Sequence, residues 1–220
     1  MARVAPTRDL AEGGTVTAVL RDGAQVEIRR LRPSDAPVLR GAFEHLGEES
    51  RRLRFISSKD HLSERELRYL TDVDGHFHEA LAASDPRTGE GLGVARFIRL
   101  QDEPHVAEAA VAVVDQWQRR GLGTLLLERL VERARSEGIT HFSALISSDN
   151  KAMLELLRGA GAEIEPVAGG AGVVEYRTLL REPGLAADLR QALRSAADGT
   201  LRVPTRLREL LVGLARQLRL

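Results

Sequence analysis

Two glycines and two arginines stand together in the segment Gln118-Arg119-Arg120-Gly121-Leu122-Gly123-Thr124, between a β-branched run and a long amphipathic pattern. Glycine lets a ligand approach the backbone closely, because no Cβ intervenes. The first turn of a helix has unpaired N–H groups and the positive end of the helix dipole. This combination binds phosphate, and Arg119 and Arg120 add positive charge. The segment therefore predicts a pyrophosphate-binding turn at a strand-to-helix junction.

Two common phosphate-binding motifs do not match this segment. The Walker motif requires a Gly-Lys-Ser/Thr ending, which is absent. The dinucleotide fingerprint requires a third Gly or Ala where this chain has Leu126, and an acidic residue about twenty positions further on. That later region reads HFSALIS. The pattern that remains is Q-x-x-G-x-G, from Gln118 to Gly123.

The elements that must position this turn follow from hydrophobic periodicity. Strands are predicted at 24–31, 78–84, 91–100, 106–115, 140–147 and 172–180. Helices are predicted at 32–46 with Ser34 or Asp35 as cap, 62–73 with a Ser63/Glu66 capping box, 120–137 and 148–162, and 50–58 is a basic loop or short helix. This order indicates a mixed sheet in an α/β or α+β domain.

Three segments are predicted along the chain. Residues 1–22 are polar and aperiodic, which is typical of a flexible tail, and 23–181 form the main domain. Residues 182–220 carry two helical patterns without strands, the second with a leucine stripe. This C-terminal helical extension either packs on its own domain or contacts a partner, for example in a homodimer, and the spacing leaves both alternatives open.

Composition excludes several classes of function. The 220 residues include 32 basic and 32 acidic side chains, so general attraction to nucleic acid or an anionic membrane is not expected. No cysteine is present, which excludes disulfides, thiolate–metal sites and a Cys nucleophile. His76, His78 and His105 lack metal-ligand spacing, so no metal is expected. Without a long apolar run or a signal core, the expected location is cytoplasmic.

The Q-x-x-G-x-G turn, followed by SDNKAMLELLRGAGAEI, resembles the signature of the GCN5-related N-acetyltransferase (GNAT) superfamily. The resemblance covers residues 24 to 181 and implies a GNAT fold with a central mixed, mostly antiparallel twisted sheet flanked by helices. It also implies acetyl-coenzyme A as cosubstrate. The residues implied to bind it are Val111 and Val113 at the pantetheine arm, Gln118, Arg119, Arg120, Gly121, Leu122, Gly123 and Thr124 at the pyrophosphate, and Asn150. A helix cap is the alternative role for Asn150.

Four segments are similar to the catalytic domain of Pat-type bacterial protein lysine acetyltransferases: SRRLRFISS, LTDVDG, GVARFIRL and AEAAVAVVDQWQRRGLGTLLLERL. In those enzymes the Glu of A-E-x-A is the general base, which here is Glu108. A lysine amine has a pKa of about 10.4, so its proton needs an acceptor. Glu108 stands in a Val/Ala run expected to be covered, where a carboxylate is costly unless satisfied or used. The alternative is a strand-end Glu that reaches solvent or pairs with Arg.

The resemblance implies an acetyl-coenzyme A-dependent N-acetyltransferase that transfers acetyl directly to a protein lysine. Two alternatives stay open. In the first alternative, the acceptor is a small-molecule amine. In the second the chain is a non-catalytic, regulatory module that binds acyl-coenzyme A.

Overall fold

A sheet of nine strands forms the centre of the computed structural model, which describes residues 3–4, 10, 13–55, 60–159, 164–170 and 172–180. The strands are β1 (Arg3–Val4), β2 (Thr15–Val19), β3 (Gln25–Arg30), β4 (His78–Ser84), β5 (Gly91–Arg99), β6 (Val106–Val113), β7 (His141–Ser147), β8 (Ile164–Gly170) and β9 (Val173–Leu179). The helices are α1 (Ala36–Glu44), α2 (Glu48–Phe55), α3 (Glu64–Thr71), α4 (Leu122–Ser136) and α5 (Lys151–Gly159).

The strands lie in the order β1-β2-β3-β4-β5-β6-β7-β9-β8. Every neighbouring pair is antiparallel except β6 and β7, which are parallel because α4 returns the chain across the sheet. The predicted mixed, mostly antiparallel sheet flanked by helices is confirmed.

Helices cover both faces of the sheet. Leu81 of β4 belongs to a core cluster with Leu126 of α4, whereas its neighbour Ala80 belongs to a second cluster with Leu39 of α1. Alternate residues of a strand point to opposite faces. Helix α4 therefore lies on one face, and α1 lies on the other.

Local signals in the sequence account for the ends of several helices. The predicted capping box of α3 is confirmed, because Ser63 Oγ accepts the Glu66 N–H at 3.3 Å and Glu66 Oε2 accepts the Ser63 N–H at 2.9 Å. Asp35 precedes α1, but its carboxylate binds the Arg29 guanidinium at 2.7 Å and makes no cap hydrogen bond. The basic segment 50–58, left open as loop or helix, contributes to α2.

The prediction of a flexible tail up to residue 22 is wrong over residues 13–22. Strand β2 pairs with β3 in full register, from Thr15 opposite Arg29 to Val19 opposite Gln25. Val16, Ala18 and Leu20 are buried in the cluster that packs on α4. This burial depends on contacts with residues distant in sequence, which a local pattern of threonine, alanine and valine does not reveal.

Strand β8 was also not predicted. It is the outer strand of the sheet, paired with β9 alone, and its register shifts between Pro166 and Ala168. Proline cannot donate to a ladder and is tolerated at an edge strand or a bulge. The predicted helical extension at 182–220 lies outside the described residues, so that boundary and the homodimer contact stay predictions.

A buried ionic network ties β3, β4 and α4 together away from the glycine turn. The Glu79 carboxylate is fully buried and accepts from Arg30 Nη2 at 2.8 Å and from Arg133 Nε at 3.0 Å. Arg133 also donates to Glu137 at 2.9 Å. Four charged side chains thus link β3 and β4 to the C-terminal end of α4.

Candidate functional site

Strands β6 and β7 separate in the middle of the sheet. Their registered pairs are Val106 with His141, Ala107 with Phe142 and Glu108 with Ser143. Beyond Glu108, residues 109–113 of β6 pair with β5 and with no other strand in the described part of the chain. The two strands therefore open into a gap that begins at Glu108.

The backbone of β6 presents polar groups to this gap. The Val114 N–H donates to Leu92 O of the β5 side at 2.9 Å, and Val106 O accepts from the Leu100 N–H at 3.0 Å. Backbone groups in an antiparallel pair alternate in direction. Even-numbered residues of β6 therefore point to β5, and the N–H and C=O of Val111 and Val113 point into the gap.

A tight turn joins β6 to α4 at one end of the gap. Arg119 has φ of +59° and Gly121 has φ of +93°, in the left-handed region that favours glycine. Gly121 occupies the cap position of α4 without a side-chain cap, and the first helical bond runs from the Leu125 N–H to Gly121 O at 3.0 Å. The N–H groups of Leu122, Gly123 and Thr124 precede that bond and have no intrahelical acceptor.

Gly123 lies where three elements meet. A Cβ placed there would lie 3.6 Å from the Val113 side chain of β6 and 3.6 Å from Leu156 of α5. Leu122 is fully buried and Thr124 is half-buried. The predicted turn residues 119–124 are brought together, at the mouth of the gap.

Gln118 holds the turn in shape. Its Nε2 donates to Val113 O at 3.0 Å, to Asp115 Oδ1 at 3.1 Å and to Ser50 Oγ of α2 at 3.2 Å. The Gln118 amide was predicted to bind the pyrophosphate. In the structure it forms hydrogen bonds to the end of β6 and to α2 instead.

Arg119 and Arg120 differ in their surroundings. Arg120 Nε lies 2.7 Å from Asp22 Oδ2, and its guanidinium stacks over the Trp117 ring at 4.5 Å. Arg119 is exposed and forms no ion pair with any residue that the structure describes. The positive charge of Arg120 is therefore balanced by Asp22, whereas Arg119 has no acidic partner among the described residues.

Asn150 precedes α5 and is buried. Its Oδ1 accepts the Met153 N–H at 3.0 Å, which is the geometry of a helix cap. The cap role is thus present in the structure. It uses the amide oxygen and leaves the amide NH2 as a donor.

Helix α2 bridges the two sides of the gap. At one end, the Gly47 N–H that precedes it donates to Asp115 Oδ2 at 3.2 Å. At the other, Arg52 Nη2 lies 2.7 Å from Asp149 Oδ2, in the loop between β7 and α5. Hydrogen bonds from the Ser147 hydroxyl and then from Arg52 hold the pKa of Asp149 below its usual value.

Glu108 is exposed, so the expectation that it is covered is wrong. Ala107 and Val111 belong to the core on the α4 face, and Glu108, which alternates with them, points to the opposite face. Its carboxylate makes no hydrogen bond or ion pair with another described residue. Glu108 lies opposite Ser143 in the last registered pair of β6 and β7.

Two features of the site were missed by reasoning from the sequence. Ser143, opposite Glu108, donates through Oγ to Glu175 Oε1 at 2.8 Å. The turn between β2 and β3 reaches the start of α4 through Asp22. Asp22-Gly23 is a common hairpin dipeptide and could have indicated that turn.

Comparison with known proteins agrees with this architecture. The model of the Acetyltransferase (GNAT) family matches residues 43–162. The chain belongs to the GNAT family of acetyltransferases. The predicted family resemblance is confirmed.

Relatives of this GNAT acetyltransferase include two bacterial proteins. Acetyltransferase Pat of Mycolicibacterium smegmatis is 29% identical over 200 residues, which are 88% of this chain and 60% of that protein. Acetyltransferase PA5475 of Pseudomonas aeruginosa is 30% identical over 152 residues, 68% of this chain and 81% of that protein. The crystal structure of the GNAT domain of S. lividans PAT has a TM-score of 0.70 at 28% identity and covers 75% of this chain and 96% of that domain. The chain thus spans less than two thirds of the M. smegmatis protein.

Acetyl-coenzyme A is the cosubstrate of GNAT acetyltransferases, and the residues present fit it. The gap beside Val111 and Val113 offers backbone groups to a slender ligand with amides. The turn at 119–124 offers N–H groups and positive charge to phosphates. In the described part of the chain, no group of three or more His, Asp or Glu side chains could hold a metal ion. No described helix has the length and apolarity to cross a bilayer.

Proposed function

We propose that the protein transfers the acetyl group of acetyl-coenzyme A to the side-chain amine of a protein lysine, with Glu108 as general base. The observation that carries the proposal is the position of Glu108, an exposed carboxylate with no partner among the described residues, at the point where β6 and β7 separate. The resemblance of four segments to Pat-type protein lysine acetyltransferases favours a protein acceptor.

The acetyl carbon of the bound thioester forms a bond with the amine nitrogen while its bond to sulfur breaks, and the coenzyme leaves as a thiolate that takes a proton from solvent. The chain supplies position and a proton acceptor. Backbone groups of Val111 and Val113 orient the pantetheine arm along the gap, and residues 119–124 hold the pyrophosphate. Alignment of two reactants in this way accounts for much of the rate gain of such a transfer.

In this proposal, Glu108 is the proton acceptor. A lysine side chain is mainly an ammonium ion near neutral pH and must lose a proton to attack. Glu108 faces the side of the sheet opposite α4, so an acceptor can approach it from the α1 face. The absence of a cationic partner among the described residues leaves the carboxylate free to accept that proton, directly or through water.

The substitution Glu108→Gln tests the role of this side chain. It keeps the shape and removes the base, so kcat should fall by about a hundredfold or more, while the Kd of acetyl-coenzyme A stays unchanged. Glu165→Gln, at an exposed glutamate of the edge strand β8, is the matched control and should keep wild-type kcat. Wild-type turnover in Glu108→Gln would refute the assignment.

The acceptor class needs a separate experiment. Radiolabelled acetyl-coenzyme A is supplied with a bacterial proteome in one arm and with a panel of small amines and amino acids in the other. Protein labelling that is lost in Glu108→Gln supports the lysine acceptor. Turnover of a small amine without protein labelling would overturn it, and coenzyme binding without turnover in either arm would favour a regulatory module.

A further inference from the structure

The turn between β2 and β3 places an arginine over the start of α4. A Cβ built on Gly121 would lie 3.5 Å from Arg21 Nε and 3.7 Å from Arg21 Cδ. No side chain of residue 121 separates the two, because that residue is glycine. Arg21 therefore lies directly against the turn that carries the unpaired N–H groups of α4.

Residues on both sides of Arg21 fix its position. Leu20 is buried in the cluster that packs on α4. Asp22 pairs with Arg120 at 2.7 Å and accepts the Ala24 N–H through Oδ1 at 3.1 Å. Gly23, with φ of +86°, closes the turn. Arg21 is held between two anchored neighbours, so its stem is directed at the glycine turn by structure that does not depend on a ligand.

The charges at this turn favour an anion. Arg120 is balanced by Asp22, which leaves Arg21 and Arg119 as exposed guanidinium groups without an acidic partner in the described part of the chain. Both lie beside the positive end of the α4 dipole. Like charges gathered at a helix start without a counterion repel one another, and a phosphate group relieves that repulsion.

We propose that Arg21 binds the pyrophosphate of the coenzyme, with Asp22 and Arg120 as the pair that positions it. This rests on the proposed placement of the pyrophosphate at residues 119–124. A guanidinium can donate two parallel hydrogen bonds to phosphate oxygens, which fits a group that approaches the turn from the side. The N-terminal hairpin, outside the GNAT motif, thus becomes part of the coenzyme site.

Binding of coenzyme A to the full chain, measured by calorimetry, tests the proposal without reference to activity. Arg21→Ala should raise the Kd of coenzyme A by about tenfold. Arg21→Lys should raise it by less, because lysine keeps the charge but cannot donate the two parallel hydrogen bonds of a guanidinium. The melting temperature should stay unchanged, because Arg21 is exposed. Arg65→Ala, at an exposed arginine of α3, is the matched control and should keep the wild-type Kd.

Dephospho-coenzyme A, which lacks the 3′-phosphate, identifies the group that Arg21 contacts. An equal loss of affinity for both ligands in Arg21→Ala supports the pyrophosphate, and a loss confined to coenzyme A would overturn it. If Arg21→Ala binds coenzyme A like wild type while Gly121→Ala binds it weakly, Arg21 does not bind the pyrophosphate. The placement of the pyrophosphate at residues 119–124 is then retained. If neither substitution alters the Kd of coenzyme A, the placement of the pyrophosphate at residues 119–124 is wrong as well.

Discussion

Asn150 caps α5 by accepting the Met153 N–H at 3.0 Å, and the same amide leaves its NH2 directed away from that bond. The cap is thus present in the structure, and the predicted contact with the coenzyme would use the other end of the amide. Asn150→Ser keeps a good cap and removes the NH2 donor, so coenzyme affinity should fall while the melting temperature stays close to wild type. Calorimetry and thermal unfolding measure the two effects separately.

Asn150→Ala removes both capacities. This substitution should lower the free energy of unfolding by about 1 kcal/mol, and it should also weaken the binding of coenzyme A. If Asn150→Ser binds coenzyme A like wild type, Asn150 is a cap and nothing more.

Gly121 and Gly138 provide a matched pair of left-handed glycines. Their φ angles are +93° and +77°, but Gly138, after the end of α4, has no atom within 4 Å of a built Cβ. Alanine at either position should cost about 1 to 2 kcal/mol of unfolding free energy. Only Gly121→Ala should also raise the Kd of coenzyme A, because it changes the phosphate turn. Equal Kd values for the two variants would contradict the placement of the pyrophosphate.

The buried carboxylate of Glu79 should be important for stability. Glu79→Gln leaves Arg30 and Arg133 without their shared anion and should cost about 3 to 5 kcal/mol in urea unfolding. Glu64→Gln breaks the exposed pair with Arg40 and should cost at most about 1 kcal/mol. Similar losses of unfolding free energy for the two variants would show that the network around Glu79 stabilises the fold no more than an exposed ion pair does.

His78 should make stability depend on pH. Burial, and then the neighbouring Arg96, hold the pKa of this imidazole below its ordinary value of 6.5. The unfolded chain therefore binds a proton that the folded chain does not, and stability is lost as pH falls from about 6.5 through the folded-state pKa. Thermal unfolding between pH 7.5 and 5 should show this loss. His78→Gln should show a shallower decline, and an identical pH profile would exclude His78 as its source.

Sequence reasoning succeeded where the signal was local. The Ser63 and Glu66 spacing reported a real capping box, and the pair Gly121 and Gly123 marked a real turn between β6 and α4. These features depend on residues within a few positions of one another.

It failed where the outcome depended on distant partners. Glu108 stands among valines and alanines that pack, yet its side chain points to the face opposite α4 and is exposed. The surroundings of Arg120 are set by Asp22, in a hairpin that looked like an unstructured tail. A local sequence pattern does not predict the exposure of a strand residue or an ion pair between residues distant in sequence.

The separation of β6 from β7 has a consequence for association with other molecules. A sheet normally exposes an edge at its outermost strands, where unpaired backbone groups can recruit a strand of another chain. Here an edge lies inside the sheet, along residues 109–113 of β6, and α2 with the preceding Gly47 bridges the two sides of the gap through Asp115 and Asp149. A thin, unbranched chain with amide groups can therefore pair with backbone groups in the middle of the sheet, without adding a strand to its outer edges.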